Sequence, residues 1–334
     1  MYWHIGHRQR QSNFWTILLI MWTGLLALGC DGIGKGKDDG YGIGCPPACE
    51  EPISRTVDQF PAWGPDSSRI AYHHIAQDRR ERSGIWLLNL ETGEQEFLVE
   101  GRKATWNPDG TQIAFSRLDG NLYRIDLHTD SVQRLTNCGA CGSPAWSPTG
   151  DRIAFDAGEG FTNSEDSVGT WLMDPDGSNK EYLRHGSSPS WSPDGHFLAL
   201  PVTTDGENID EIARFDLETG DLTILTNAGR LGASSPAWSP TGDRIAWYSL
   251  DEGEDPDWGI WTANADGSAP RPLIRGGSSP SWSPDGSRLV FQYTAFEEDH
   301  PDLRDGQGVQ TLGIANADGS DLRPLTRLSD YMSK

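Results

Sequence analysis

Basic residues are scarce in this sequence. Among 334 residues, 27 are Lys or Arg and 49 are Asp or Glu, which gives a formal net charge of −22. Surfaces that bind nucleic acid need clustered Lys and Arg to neutralise phosphates, so the sequence predicts no nucleic-acid partner. The Gly-x-Ser-x-Gly motif of α/β-hydrolases is also missing, which removes the most common serine-nucleophile site from consideration.

Only one long hydrophobic run is present, from Phe14 to Leu28. It follows Arg8 and Arg10 and has about 15 residues, fewer than the ~20 that a membrane-spanning helix needs. The run ends in Leu-Ala-Leu-Gly-Cys30, which resembles the signal of bacterial lipoproteins. We therefore predict a cleaved signal peptide at residues 1–29 and a palmitate-type lipid on Cys30. An uncleaved signal anchor is the alternative.

The segment after Cys30 contains few apolar side chains and is rich in glycine. We interpret residues 30–52 as a tether between a lipid anchor and a folded body that occupies residues 53–334. The tether predicts a protein held at the periplasmic or other extracytoplasmic face of a bacterial membrane.

Cysteine is rare, and its placement is informative. Apart from Cys30, the chain has Cys45, Cys49, Cys138 and Cys141, an even set that is expected to form disulfides in an oxidising compartment. Four cysteines allow three connectivities. Local bridges within CPPAC and CGAC, or a cross-link from the tether to the loop at 138–141, all remain open, as do the alternatives of a zinc site and a redox CxxC pair.

A thirteen-residue motif recurs six times without gaps. Its tryptophans are separated by 43, 40, 45, 47 and 44 residues, which matches the length of a four-stranded propeller blade. These tryptophans are Trp63, Trp106, Trp146, Trp191, Trp238 and Trp282. The sequence therefore predicts an all-β fold, a six-bladed β-propeller with blades near 60–100, 103–136, 143–185, 188–226, 235–274 and 279–326.

The positions of the motif have separate structural roles. A proline two residues after each Trp, followed in five copies by Gly, predicts a tight turn between two strands; Ser67 replaces this Gly in the first copy. A third strand is predicted to end at an Asp or Asn in every blade. These residues are Asn89, Asp126, Asp174, Asp216, Asn264 and Asn316.

These motifs resemble the TolB-type propeller repeat over about residues 53 to 327. The resemblance implies a monomeric, non-catalytic scaffold that contacts envelope proteins. The α/β domain that precedes the propeller in TolB has no counterpart in the short tether. Ring closure is open: residues 53–57 could add a latch strand to the last blade, or the blades could pack without one.

The connections between the second and third strands vary in length and are acidic in blades three to six. Because such loops share one face of a propeller, they predict an acidic surface for a basic protein segment or for Ca²⁺. Ordinary solvated loops are the alternative. The candidate residues are Asp156, Glu165, Asp166, Asp205, Glu207, Asp251, Glu252, Asp255, Asp257, Glu297, Glu298 and Asp299.

Two further function classes remain open at this point. One is an exported propeller enzyme, such as a hydrolase or a polysaccharide lyase, and the other is a Ca²⁺-binding module. No residue pattern assigns a catalytic group, and apart from Ca²⁺ no cofactor or metal is expected.

Overall fold

The computed structural model describes residues 57–76, 82–158, 168–204, 210–227, 232–250, 258–295 and 309–326. The chain divides into two compact units, 1–50 and 51–334, and all described residues belong to the second. None of the described segments contains a helix that is long and apolar enough to cross a membrane. The predicted signal peptide, the tether, Cys30, Cys45 and Cys49 lie outside the described residues.

The described residues form six antiparallel sheets of four strands each. In chain order, the strands of the first three sheets are β1 Val57–Trp63, β2 Arg69–Ile75, β3 Gly84–Asn89, β4 Gln95–Val99, β5 Arg102–Trp106, β6 Gln112–Ser116, β7 Leu122–Asp126, β8 Val132–Arg134, β9 Cys141–Trp146, β10 Ile153–Ala157, β11 Gly169–Met173 and β12 Glu181–Arg184. Those of the last three are β13 Ser190–Trp191, β14 Phe197–Thr203, β15 Asp210–Asp216, β16 Leu222–Ile224, β17 Ala233–Trp238, β18 Arg244–Leu250, β19 Trp258–Asn264, β20 Arg271–Arg275, β21 Gly277–Trp282, β22 Arg288–Ala295, β23 Val309–Asn316 and β24 Arg323–Pro324. The predicted all-β, six-bladed propeller of four-stranded blades is confirmed.

We label the strands of each blade A to D in chain order, so that strand A carries the motif Trp. The A–B and C–D turns lie on one face, which we call the turn face. On the opposite face, which we call the loop face, strands B end and strands C begin, and strands D end and the next strands A begin. The order A-B-C-D within every sheet fixes this division, because antiparallel neighbours alternate in direction.

Apolar side chains from adjacent blades form a buried cluster at each blade interface. Blade six meets blade one through Val290, Leu312 and Ile314, which pack on Trp63 and Tyr72. Val57 pairs with Ile75 of its own blade, so the part of the predicted latch that is described belongs to blade one; residues 53–56 lie outside the described residues. Within the described chain, the ring closes by side-chain packing.

The glycine of each A–B turn packs on the motif proline of the preceding blade. A Cβ on Gly110, for example, would lie 3.1 Å from Pro65 Cγ, and one on Gly242 would lie 3.2 Å from Pro193 Cγ. Gly110 and Gly242 also have φ angles of 73° and 76°, which glycine adopts without steric cost. The motif glycine therefore serves both its own turn and the contact between blades.

Odd- and even-numbered blades differ in how they bond to their neighbours. In even blades the motif indole Nε1–H donates to an alanine carbonyl of the preceding odd blade, as from Trp191 to Ala145 at 3.0 Å. The other two such pairs are Trp106 to Ala62 and Trp282 to Ala237. In return, Ser281 Oγ of blade six accepts the backbone N–H of Trp63 at 3.1 Å. The ring is therefore built from three similar pairs of blades.

The same alternation appears between strands C and D. In blades one, three and five, strand C has a glycine at or near its start against which the backbone of strand D packs closely: Gly84, Gly169 and Gly259. In the even blades a threonine hydroxyl accepts a strand C backbone N–H instead, as from Leu122 to Thr136 at 2.9 Å. Thr226 and Thr326 do the same in blades four and six.

Replacing Trp191 with phenylalanine is expected to lower the free energy of unfolding by about 1 kcal/mol more than replacing Trp146 with phenylalanine. Both substitutions shorten a mostly buried ring, but Trp191→Phe also leaves the Ala145 carbonyl without its donor. The buried Nε1 of Trp146 has no hydrogen-bond partner among the described residues, so Trp146→Phe removes a donor that is already unsatisfied. Urea denaturation of both variants measures the difference, and equal losses would show that the indole hydrogen bond adds nothing.

Candidate functional site

The turn face is a structural surface. Its aspartates accept hydrogen bonds from their own turns, as Asp109 does from the Thr111 backbone N–H at 2.9 Å and Asp176 does from the Ser178 N–H at 2.8 Å. Hydrogen bonds from Ser283 and Ser287 lower the pKa of Asp285 to about 2. Many carboxylates of this face are therefore already hydrogen-bonded within their own turns.

The long connections that the sequence singled out start and end at the loop face. At this face the second strands of blades three to six end and the third strands begin; these strands are β10, β14, β18 and β22, followed by β11, β15, β19 and β23. Eleven of the twelve acidic candidates lie in these connections and outside the described residues: Glu165, Asp166, Asp205, Glu207, Asp251, Glu252, Asp255, Asp257, Glu297, Glu298 and Asp299.

Asp156 is the acidic candidate that the structure describes, and its assignment to a loop was wrong. It lies within strand β10, opposite Gly142, and is half-buried. Its Oδ2 accepts the backbone N–H of Ser188 at 3.3 Å. Because Asp156 accepts a hydrogen bond from blade four, it belongs to the interface between blades three and four and is not a solvated loop residue.

Blade two has the shortest B–C connection, and its tip presents an apolar side chain. Leu118 is 92% exposed in the turn between β6 and β7, where Gly120 N–H donates to the Arg117 carbonyl at 3.1 Å. Arg117 stacks its guanidinium on Tyr123, 4.4 Å from the ring centroid. This turn is a rigid, exposed feature of the loop face.

A disulfide joins Cys138 to Cys141, whose Cα atoms are 5.9 Å apart. Of the pairings that the sequence left open, the structure therefore has the local CGAC bridge. Both cysteines are buried, and the loop docks on the B–C turn of blade two: Cys141 N–H donates to Gly120 O at 2.8 Å, and Cys138 N–H donates to Asn121 Oδ1 at 2.8 Å. The bridge thus supports the turn that carries Leu118.

A ring of unusual backbone conformations surrounds the central channel. The first residue of every motif copy has a positive φ, between 43° and 53°, although none is glycine. These residues are Phe60, Lys103, Ser143, Ser188, Ser235 and Ser279. In five blades this residue lies in a β-bulge of strand A, where the pairing with strand B shifts. Left-handed conformations cost non-glycine residues about 1–2 kcal/mol each and persist only where the surrounding structure enforces them.

Side chains of this ring contact one another from blade to blade. The Lys103 ammonium donates to Ser143 Oγ at 2.7 Å, and Ser143 Oγ lies 3.3 Å from Ser188 Oγ. Lys103 Nζ also lies 5.4 Å from the centroid of the Phe60 ring. Blades one to four thus place one cation, two hydroxyls and one aromatic ring around the same part of the channel.

The residues beside Lys103 set its electrostatic environment. Burial lowers the pKa of Lys103, an effect that the Asp156 carboxylate partly opposes and the neighbouring Arg102 reinforces. Burial and the charge of Arg102 lower the pKa of His73 to about 4, so this imidazole is neutral at pH 7. His73 stacks on Phe60, with ring centroids 6.5 Å apart.

A second histidine of blade one is paired. His74 Nδ1 lies 2.7 Å from Asp58 Oδ1, and Asp58 is almost fully buried. In the described ranges, no group of three or more His, Cys, Asp or Glu side chains lies close enough to hold a metal ion. The described histidines of blade one are therefore engaged in local pairs and stacks.

The far end of the channel, towards the turn face, is a cavity of about 410 Å³. Its wall repeats the second residue of the motif, proline in five blades and Ala104 in blade two, together with the motif tryptophans of blades three to six. Ala104 directly follows Lys103, so this cavity adjoins the ring of left-handed residues.

No protein-family model matches the sequence. An uncharacterised protein of Agrobacterium fabrum strain C58 is 32% identical over 156 residues, which cover 41% of this chain and 52% of that protein. The matched segment thus spans about half the length of this curated relative.

Solved structures share the fold. The structure of a putative TolB from Agrobacterium tumefaciens matches with a TM-score of 0.59 and 22% identity, over 72% of this chain and 86% of that chain. TolB from Acinetobacter baumannii matches with a TM-score of 0.56 and 24% identity, over 69% and 57%. These similarities define the chain as a six-bladed β-propeller. More closely, its fold is TolB-like, which confirms the resemblance that the repeat predicted.

The same fold also occurs in enzymes. An oligogalacturonate lyase in complex with manganese matches with a TM-score of 0.51 and 16% identity, over 77% of this chain and 89% of that chain. Fold alone therefore does not separate a scaffold from an enzyme, and function has to be argued from the site.

Sequence reasoning missed the channel ring, although a signal was present. The first motif residue is Ser in four copies, but it is Phe60 in the first and Lys103 in the second. Phe60 and Lys103 lie beside each other in the structure, so the one charged residue of the ring contacts its one aromatic residue. A comparison of the motif copies position by position would have identified Lys103.

Proposed function

We propose that this chain is a non-catalytic interaction scaffold, tethered through a lipid on Cys30 to the extracytoplasmic face of a bacterial membrane, that binds envelope proteins through its loop face. The lipoprotein-like sequence before residue 31 supports the tether and the location. The TolB-like fold supports a binding role. A monomeric scaffold agrees with a ring whose blade interfaces are all filled by its own side chains.

The difference between the two faces carries the proposal. On the turn face, short turns recur in similar form, and their aspartates are occupied by turn hydrogen bonds. The connections that start and end at the loop face differ in length from blade to blade, and their sequences contain eleven acidic candidates. Binding sites of rigid scaffolds are usually formed by such variable connections.

The Leu118 turn gives the loop face a rigid apolar contact. Its side chain is 92% exposed, whereas the turn below it is held by the Arg117–Tyr123 stack and by the disulfide loop. Apolar anchors surrounded by charge are typical of protein interfaces. An acidic surface with one fixed leucine favours a partner that has basic residues next to an apolar one.

Two exposed leucines on opposite faces allow a matched test. We expect a photo-crosslinking amino acid at Leu118 to capture a specific envelope protein in living cells. The same group at Leu322, which is 40% exposed in a C–D turn of the turn face, is expected to capture none. Mass spectrometry of the cross-linked product identifies the partner.

The salt dependence of this capture tests the role of charge. If a basic segment meets the acidic connections, purified partner and full-length chain should associate several-fold more weakly at about 0.5 M salt than at about 0.05 M, because salt screens exposed charges. Equal capture from Leu118 and Leu322, or capture of no specific protein, would contradict the proposal. Binding that requires added Ca²⁺ would favour the calcium-binding alternative.

A further inference from the structure

The outer strand of blade four, β16, is an unprotected sheet edge. Every blade exposes one edge of its strand D, because among the described residues that strand pairs with strand C alone. Proteins usually protect such edges from pairing with further strands by charged residues or proline. The outer strands β4, β8, β12, β20 and β24 each contain at least one such residue, whereas β16 consists of Leu222, Thr223 and Ile224.

The backbone of Leu222 and Ile224 faces away from the blade. Neighbouring pairs in an antiparallel ladder alternate between residues that exchange two backbone hydrogen bonds and residues that exchange none. Leu225 N–H donates to the Ile212 carbonyl at 2.8 Å, so the bonded residues of strand D are Leu225 and, two residues earlier, Thr223. Leu222 and Ile224 lie in the pairs that exchange none, and their N–H and C=O groups point outward.

The side chains of these two residues are exposed as well. Leu222 is 37% and Ile224 is 43% exposed. They lie on the same side of the sheet as the residues they pair with, Phe215 and Ala213, and both of these are buried in the cluster between blades three and four. The edge of β16 therefore offers backbone hydrogen bonds and an apolar surface at the same place.

Blades two and six show how the equivalent position is blocked elsewhere. In all three even blades a leucine directly follows strand D and donates its N–H to strand C. The residue before this leucine is Ile224 in blade four, Arg134 in blade two and Pro324 in blade six. Proline has no N–H to offer to an added strand, and an arginine places a charge at the edge. Blade four has neither form of protection.

The hairpin that precedes β16 has acidic residues next to this edge. Glu218 and Asp221 are exposed there, and no Lys or Arg occurs from residue 215 to residue 227. The cations of neighbouring strands, Arg184 and Arg214, lie over aromatic rings, 5.3 and 4.9 Å from the ring centroids. A basic residue of an added strand would therefore meet the opposite charge at the hairpin end of β16.

We propose that β16 is a strand-addition site for an extended segment of a partner protein. The segment pairs antiparallel with β16, as the strands within the blade do, and places β-branched residues opposite Ile224 and Leu222. Because it then runs towards the hairpin, a Lys or Arg that follows these residues lies beside Asp221 and Glu218. This edge is separate from the loop face, so it would bind its segment even if the loop face bound nothing.

Defined peptides and the full-length chain test the site. The probe is a fluorescent peptide of sequence Ser-Val-Thr-Val-Lys-Lys with blocked ends, and fluorescence anisotropy measures its Kd, which we expect below about 1 mM. The same peptide with N-methyl groups on both valines cannot donate to the β16 carbonyls and should bind at least about tenfold more weakly. A peptide with Glu in place of both lysines should also bind more weakly, because the hairpin repels it.

Substitutions at Ile224 separate this edge from the rest of the surface. Ile224→Pro removes the outward N–H, as Pro324 does in blade six, and Ile224→Arg introduces the charge that Arg134 provides in blade two. Each is expected to weaken peptide binding about tenfold or more, while circular dichroism shows a folded chain. Arg134→Pro makes the same backbone change in blade two, and this matched control should keep the affinity of the unmodified chain.

Several results would overturn the proposal. These are unchanged affinity in either Ile224 variant, an equal loss in Arg134→Pro, equal binding of the N-methylated peptide, or no saturable binding below about 1 mM. Analytical ultracentrifugation of the chain without peptide tests the other occupant. A dimer that Ile224→Pro abolishes would show that a second copy of the chain, and not a partner segment, covers β16.

Discussion

Replacing Gly267 with alanine is expected to lower the free energy of unfolding by about 2–4 kcal/mol. Gly267 lies in the C–D hairpin of blade five with a φ of 83°. A Cβ there would lie 2.5 Å from the Leu225 carbonyl oxygen and 3.0 Å from Leu225 Cα. Because the atoms that it meets are backbone atoms of blade four, the hairpin cannot relax without separating the two blades. The left-handed strain of about 1 kcal/mol therefore adds to a steric cost of about 1–3 kcal/mol.

Gly220→Ala is the matched control for that substitution. Gly220 occupies a C–D hairpin as well, with a φ of 77°, but a Cβ there would meet nothing within 4 Å. Urea denaturation of both variants separates the strain, which they share, from the clash, which belongs to Gly267 alone. Equal losses of stability would mean that the close approach between blades four and five is not rigid.

Replacing Phe155 with alanine is expected to cost about 3–5 kcal/mol. Phe155 is completely buried in the cluster between blades two and three, with Leu122, Leu135 and Met173. The cavity left by its ring would be enclosed by two sheets whose backbones are held by hydrogen bonds, so the site can collapse only partly.

Leu118→Ala supplies the comparison, since it also removes an apolar side chain but from a position that is 92% exposed. Its effect on stability is expected to stay within about 0.5 kcal/mol. Chemical denaturation measures both variants, and a loss below about 1 kcal/mol for Phe155→Ala would argue against a tightly packed blade interface. Leu118→Ala should also weaken partner capture, which stability alone would not explain.

The fold was predictable because each motif residue acts within its own blade. Asn89 and Asp126 end third strands as expected, and each side-chain oxygen accepts backbone N–H groups of the hairpin that follows. Asp174 differs slightly, since β11 ends one residue earlier, at Met173. Local turn chemistry of this kind is present in the sequence and can be recognised there.

The candidate site was harder to predict because it depends on contacts between blades. In the sequence, Asp156 is next to an acidic connection. Only the register of β10 shows that it lies within a strand of blade three. The pairing of Cys138 with Cys141 was one of several that the spacing allowed. The left-handed ring was not foreseen, because Ser, Phe and Lys do not predict positive φ.

The difference between odd and even blades was present in the sequence, but the motif that all six blades share obscured it. Gly84, Gly169 and Gly259 stand in odd blades, and Thr136, Thr226 and Thr326 stand in even ones. A search for a period of one blade averages these positions, whereas a period of two blades separates them.

This pairing of unlike blades constrains how such a ring can change in number. The Trp191 indole, which donates to the Ala145 carbonyl, needs an odd blade before its own. The backbone N–H of Trp63, which donates to Ser281 Oγ, needs an even blade before its own. Losing or duplicating a single blade would bring two blades of the same kind together and leave these donors without acceptors. Relatives that arise from this chain by tandem duplication are therefore expected to gain or lose blades in twos, and to keep an even number of them.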